Sequence, residues 1–87
     1  MKKLFTIVIH TEKTIGLLVR LTGIFSRRRI PIISLNVVAF EEENIYRFAI
    51  VIKETEEVAI RLVQQIDKQV EVFESFIHIN EEESQPV

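Results

Sequence analysis

Between Leu4 and Ile79 the apolar residues alternate between two spacings, and the order of those spacings leaves few folds open. The stretch "LFTIVI" (residues 4–9) is rich in β-branched and aromatic residues and ends in the polar turn "HTEKT", which predicts a first strand. Leu17, Leu18, Leu21, Ile24 and Phe25 then recur at helical spacing, with Arg20 and Ser26 off the stripe. They predict an amphipathic helix capped by Thr14 and running to about Arg28. Pro31 stops it, because the residue before a proline is pushed out of the α region. "PIISLNVVAF" reads as a long strand with Ile33, Leu35, Val37 and Ala39 on one face and Ile32, Val38 and Phe40 on the other. A strand apolar on both faces is expected to be covered on both. After the acidic turn "EEEN", Tyr46, Phe48, Ile50 and Ile52 alternate with Arg47, Ala49, Val51 and Lys53, and the short link predicts an antiparallel hairpin. Thr55, followed by Glu56 and Glu57, starts a second helix with acids near the positive end of its dipole. Val58, Ala59, Leu62, Val63 and Ile66 continue that helix on one face, and "VEVFESFIHI" (residues 70–79) is the last strand.

The order β-α-β-β-α-β predicts an α+β, ferredoxin-like fold, in which right-handed crossovers build a four-stranded antiparallel sheet with both helices on one face. One domain is expected over residues 1–79, and "NEEESQPV" (residues 80–87) is expected to be a flexible acidic tail. With 87 residues, 47% of them apolar, the chain supports a single small core that gains from burying more surface against a partner. Eleven basic residues against thirteen acidic ones leave a net charge of -2, so no overall positive field draws the chain to nucleic acid or anionic lipid. The absence of cysteine removes disulfides and thiolate chemistry and agrees with a cytoplasmic location. The start "MKKLFTIVIH" is interrupted by Thr6 and His10 and lacks a small-residue cleavage site, so Met1 is read as the start of a mature, soluble chain with no membrane partner.

In this strand order the second strand lies at a sheet edge, here apolar and without an inward lysine or interior proline to blunt it. A homodimer through that strand, two copies pairing about a two-fold axis into an eight-stranded sheet, is the expected remedy. For the sheet face away from the helices two readings stand: a further partner covers it, or Thr6, Ser34, Asn36 and Arg47 make it wet enough to stand exposed.

The stretch "GLLVRLTGIFSRRRIPIISLNV" (residues 16–37) contains Gly-x-Leu-x-Arg, then Gly-x-Phe-Ser-x-Arg, then Ile-x-Ser-Leu-x-Val. It resembles the signature of the ACT domain in the small regulatory subunit of acetohydroxyacid synthase, also called acetolactate synthase. "YRFAIVI" and "LVQQIDKQVEV" are similar to that family as well, so the likeness runs from about Leu4 to Ile79. The resemblance implies a non-catalytic regulatory subunit that binds a thiamin-diphosphate-dependent catalytic subunit, raises its activity and lets a branched-chain amino acid, usually valine, feed back on the pathway. It implies no cofactor, catalytic residue or metal in this chain. Many members carry a second domain after this one, and others are single-domain short forms.

The effector residues expected from this likeness are Lys13, Gly16, Leu17, Leu18, Pro31 and Ile32. Gly16 allows close backbone approach, and the turn at Gly16 and Leu17 exposes N–H groups at a helix N-terminus, where a carboxylate is favoured. In the two-fold dimer the partner's second strand starts beside this turn, so the pocket is expected between subunits. The family carries an asparagine where this chain has Lys13, and Gly and Asn where it has Arg29 and Pro31. Lys13 can pair with a carboxylate but repels an ammonium, and Pro31 keeps a carbonyl acceptor while lacking the N–H and the side-chain amide, so valine is expected to bind weakly or not at all. For the run Arg27–Arg28–Arg29 two readings stand: cations complementing a helix C-terminus, or a contact to an anion or partner.

The same residues fit two rival functions less well. An RNA-recognition module shares the element order, and Phe5, Tyr46 and Phe48 suggest base stacking, but the third strand lacks the Gly-aromatic motif and the chain is acidic. His10 and His78 are expected at opposite ends of the sheet as strand-end polar residues, unable to share a metal within one subunit. The remaining alternative is a stand-alone ACT sensor that regulates a different enzyme.

Overall fold

The computed structural model describes residues 1–80. Six elements follow the predicted order: β1 (Lys3–Glu12), α1 (Leu17–Arg27), β2 (Ser34–Phe40), β3 (Ile45–Glu54), α2 (Glu56–Asp67) and β4 (Val72–Ile79). They form one antiparallel sheet in the order β2-β3-β1-β4, so β2 and β4 are its edges.

The period-two pattern is what sorts the core. Phe5, Ile7 and Ile9 on β1 and Phe48, Ile50 and Ile52 on β3 are buried together with Leu17, Leu21, Ile24 and Phe25 of α1 and Ala59, Leu62 and Ile66 of α2. Register enforces this, since Ile7 stands opposite Ile50 and Phe5 opposite Ile52. Both helices therefore rest on the same face of the sheet. Thr55 caps α2 as expected, its hydroxyl accepting the Val58 N–H at 3.3 Å.

Several local expectations are corrected. Thr14 does not cap α1; the N-cap is Gly16, at φ 87, with no side-chain cap. The chain makes one more turn before the helix, and only glycine takes that left-handed geometry without strain. The end of α1 is as expected: the helix runs to Arg27 with Arg28 as its C-cap, and Arg29 follows at φ 57. Strand β2 begins at Ser34 rather than Pro31, and β4 at Val72 rather than Val70. Within one chain β2 is exposed on both faces, not covered on both, because it is an edge of the sheet. Asn80 is tied to β1: its N–H donates to the Leu4 carbonyl at 2.8 Å, and its Oδ1 accepts from the Thr6 hydroxyl at 2.6 Å. The rest of the expected tail, residues 81–87, lies outside the described residues.

Candidate functional site

The loop from β1 to α1 borders a cavity of about 320 Å³ lined by Thr14, Ile15, Gly16, Leu18, Val37, Tyr46 and Phe48. Its floor comes from strand register: Val37 is opposite Phe48, and Ala39 opposite Tyr46. The Tyr46 and Phe48 rings meet edge to face, with centroids 5.8 Å apart at 75°. Its rim is the start of α1. The Leu17 N–H reaches back to the Thr14 carbonyl at 3.5 Å, and the first helical bond runs from the Arg20 N–H to the Gly16 carbonyl at 3.1 Å. The N–H groups of Leu18 and Val19 thus precede the helical ladder and have no acceptor within it. The Thr14 hydroxyl oxygen, which belongs to the same lining, is shielded from solvent and has no hydrogen-bond partner. An apolar wall beside unpaired donors suits a small molecule with a carboxylate and an aliphatic chain.

The six residues expected at an effector site are placed unequally. Gly16 and Leu18 line the cavity. Leu17 points into the core behind it, fully buried. Lys13 stands next to the lining residues, but its ammonium is turned onto Glu41 in the β2–β3 turn, Nζ to Oε1 2.8 Å. That hydrogen bond, together with the charge of Glu41, raises the Lys13 pKa above its ordinary 10.5. The Lys13 N–H also donates to the Asn44 carbonyl at 3.0 Å, so the loop is strapped to the hairpin turn by two contacts. Pro31 is exposed and Ile32 packs against the core edge. Both precede Ser34, which pairs with Val51, whereas the cavity lies toward Phe40, which pairs with Ile45. One chain therefore does not bring Pro31 and Ile32 to the cavity.

Thr14, Ile15, Val37, Tyr46 and Phe48 were missed as lining residues. The signal available was the shared inner face of Val37, Tyr46 and Phe48, but it needed the β2–β3 register to be read. That register also removes the base-stacking reading of the aromatics: Phe5 and Phe48 are buried beneath the helices rather than displayed on the open sheet face.

The histidines lie apart. His10 is opposite Glu74 and His78 opposite Thr6, four residues away along β1, which is about 13 Å at strand rise. His10 is not a bare strand-end residue: its Nδ1 lies 3.0 Å from Glu74 Oε2, and its ring meets Phe76 edge-on at 6.0 Å. Among the described residues no helix is long and apolar enough to cross a membrane.

Comparison with known proteins places this geometry. No curated protein matches the sequence. Among solved structures, the ACT domain from GTP pyrophosphokinase of Chlorobium tepidum is 20% identical, covers 90% of this chain and 100% of its own, and superposes with a TM-score of 0.77. The acetolactate synthase small subunit from Thermotoga maritima is 21% identical with a TM-score of 0.78, covering 86% of this chain and 47% of that one. The present chain thus spans about half the length of that subunit. An uncharacterised protein from Thermotoga maritima, 14% identical, has a TM-score of 0.78 over 93% of this chain and 100% of its own. At these identities the likeness establishes the shared fold. The sequence itself goes further: residues 7–74 match the family described as the AHAS small subunit-like ACT domain, and the chain belongs to that family.

Proposed function

We propose that this chain is a regulatory subunit of acetohydroxyacid synthase, or the ACT portion of one. In this reading it binds and activates the catalytic subunit in the cytoplasm, with no catalytic step of its own, and transmits feedback in branched-chain amino acid biosynthesis. The family match over residues 7–74 carries the reading. The cavity at the β1–α1 loop supports an effector role, because it joins unpaired donors to an apolar wall beside an open sheet edge.

In the proposed assembly two copies pair through β2. Strand β2 is free on its outer side and presents Leu35, Val37, Val38 and Phe40, each more than a third exposed, more apolar surface than an isolated edge strand normally shows. Pairing would bring Pro31 and Ile32 of one subunit toward the cavity of the other. Adding the protein to a cognate acetohydroxyacid synthase catalytic subunit is expected to raise the rate of pyruvate consumption. Val37→Lys is expected to weaken the dimer seen by light scattering at micromolar concentration. An unchanged rate across a range of subunit ratios would overturn the assignment.

A second reading is a stand-alone ACT sensor acting on another enzyme, supported by the nearly equal fit to the ACT domain of a GTP pyrophosphokinase, TM-score 0.77 against 0.78. Copurification of untagged protein from its source separates the two: a large thiamin-diphosphate-dependent subunit supports the first, a different enzyme the second.

A further inference from the structure

Strand β2, Ser34–Phe40, carries no charge, yet opposite charges bracket it. Arg27, Arg28 and Arg29 come before it, and Glu41, Glu42 and Glu43 follow it. All six are exposed. Lys13 holds Glu41, and Arg28 Nε donates to Gln65 Oε1. Among the described residues Arg27, Arg29, Glu42 and Glu43 enter no ion pair. The strand holds the two clusters apart, since seven residues at strand rise span about 23 Å. Inside one chain they therefore cannot neutralise each other.

The other edge is less suited to pairing. Strand β4 carries Glu74 and His78, and its register against β1 shifts between His10 and Thr11, where Val72 and Glu74 are the successive partners and Phe73 is the extra residue. A bulge of this kind bends an edge and interrupts the row of ladder groups. Strand β2 has no register shift against β3 and no charge or proline.

We propose that Arg28 and Arg29 of one copy meet Glu42 and Glu43 of a second copy at both ends of a two-fold β2–β2 seam, and that these contacts fix its direction and register. The inference rests on the dimer reading above and deepens it. Antiparallel pairing over the full strand sets Ser34 against the partner's Phe40. Beyond the strand ends it sets residues 31–33 beside the partner's acidic turn. Arg29 lies two residues further, in the turn that ends α1, and two residues of chain span at most about 7 Å, which an extended arginine side chain covers. A parallel seam would instead stack arginines on arginines and glutamates on glutamates. A slipped antiparallel seam would separate the clusters. The same charges therefore favour the one arrangement that delivers Pro31 and Ile32 to the partner's cavity.

The test is a charge exchange followed by analytical ultracentrifugation. Arg28→Glu with Arg29→Glu makes one variant, and Glu42→Arg with Glu43→Arg makes the other. Each alone is expected to dimerise at least about tenfold more weakly than the wild type, because like charges then face each other at both ends of the seam. An equimolar mixture is expected to form a heterodimer of near wild-type affinity, since every facing pair is again opposite in sign. Wild-type dimerisation is expected to weaken as salt rises from about 0.01 M to about 1 M, as the Debye length falls from about 30 Å to about 3 Å. Should either exchange variant lose its native circular dichroism, Arg29→Gln and Glu43→Gln test the same contact, with a reduced salt dependence as the expected result. A wild-type dimer whose exchange variants associate as tightly as it does, or whose mixture shows no recovery, would overturn the charge inference while leaving the dimer standing. A monomeric wild type would overturn both.

Discussion

The Thr14 hydroxyl gives the most direct check on the candidate site. Its oxygen is shielded from water and has no hydrogen-bond partner, so the fold bears the cost of desolvating a polar group without compensation. That cost is about 1–3 kcal/mol. Thr14→Val exchanges the hydroxyl for a methyl of nearly the same volume and keeps the β-branch, so neither a new cavity nor overpacking is introduced. Taking the low end of the range, the variant should be more stable by about 1 kcal/mol. For a domain of this size that is a rise in Tm of about 4–8 °C. Differential scanning calorimetry and urea unfolding measure it, run at several protein concentrations so that association is not mistaken for folding stability. The functional half has the opposite sign: a ligand that uses this hydroxyl should stabilise the variant less than the wild type. An unchanged or lower Tm in Thr14→Val would mean that the hydroxyl already has a partner in solution, and the polar part of the site would have to be reassigned.

Gly16→Ala should destabilise the protein by about 1–2 kcal/mol through backbone strain alone, since φ is 87 and no atom lies within 4 Å of the added Cβ; denaturant unfolding measures it, and a neutral result would place Gly16 outside the left-handed region. The Lys13–Glu41 pair raises the Lys13 pKa, so its stabilising effect is full below the unfolded value of 10.5 and is lost as pH rises through the folded value. The stability difference between wild type and Lys13→Met should accordingly close only in that alkaline range, and a difference that closes near neutral pH would refute the pairing. Valine should bind the unmodified protein weakly or not at all, and Lys13→Asn with Pro31→Asn should restore binding. Because Glu41 already holds the Lys13 ammonium, Pro31→Asn should account for most of the gain in isothermal titration, and a gain from Lys13→Asn alone would show that the ammonium reaches the ligand.

The features legible in the sequence were those set by neighbours along the chain. Side chains alternate across a strand and recur every 3.6 residues on a helix, so the apolar pattern identified all six elements and the two alternating faces of β3 without any knowledge of contacts. Thr55 was readable as a cap because its acceptor and the Val58 N–H are three residues apart. Thr14 misled for the same local reason: it looks like a cap by spacing, while the extra turn through Gly16 is set by how the loop must leave the sheet. Tertiary structure decided what depends on groups far apart in sequence. The Lys13–Glu41 strap, the His10–Glu74 pair, the Thr6–Asn80 bond and the meeting of Thr14 with Val37 and Phe48 around one cavity all follow from the β1–β3, β2–β3 and β1–β4 registers. A shift of one residue in any of those registers would send each side chain to the opposite face, and no local spacing encodes it. The charges flanking β2 stand between the two cases. Their order is plain in the sequence, but only an uncovered edge strand with its two ends held apart gives that order a use.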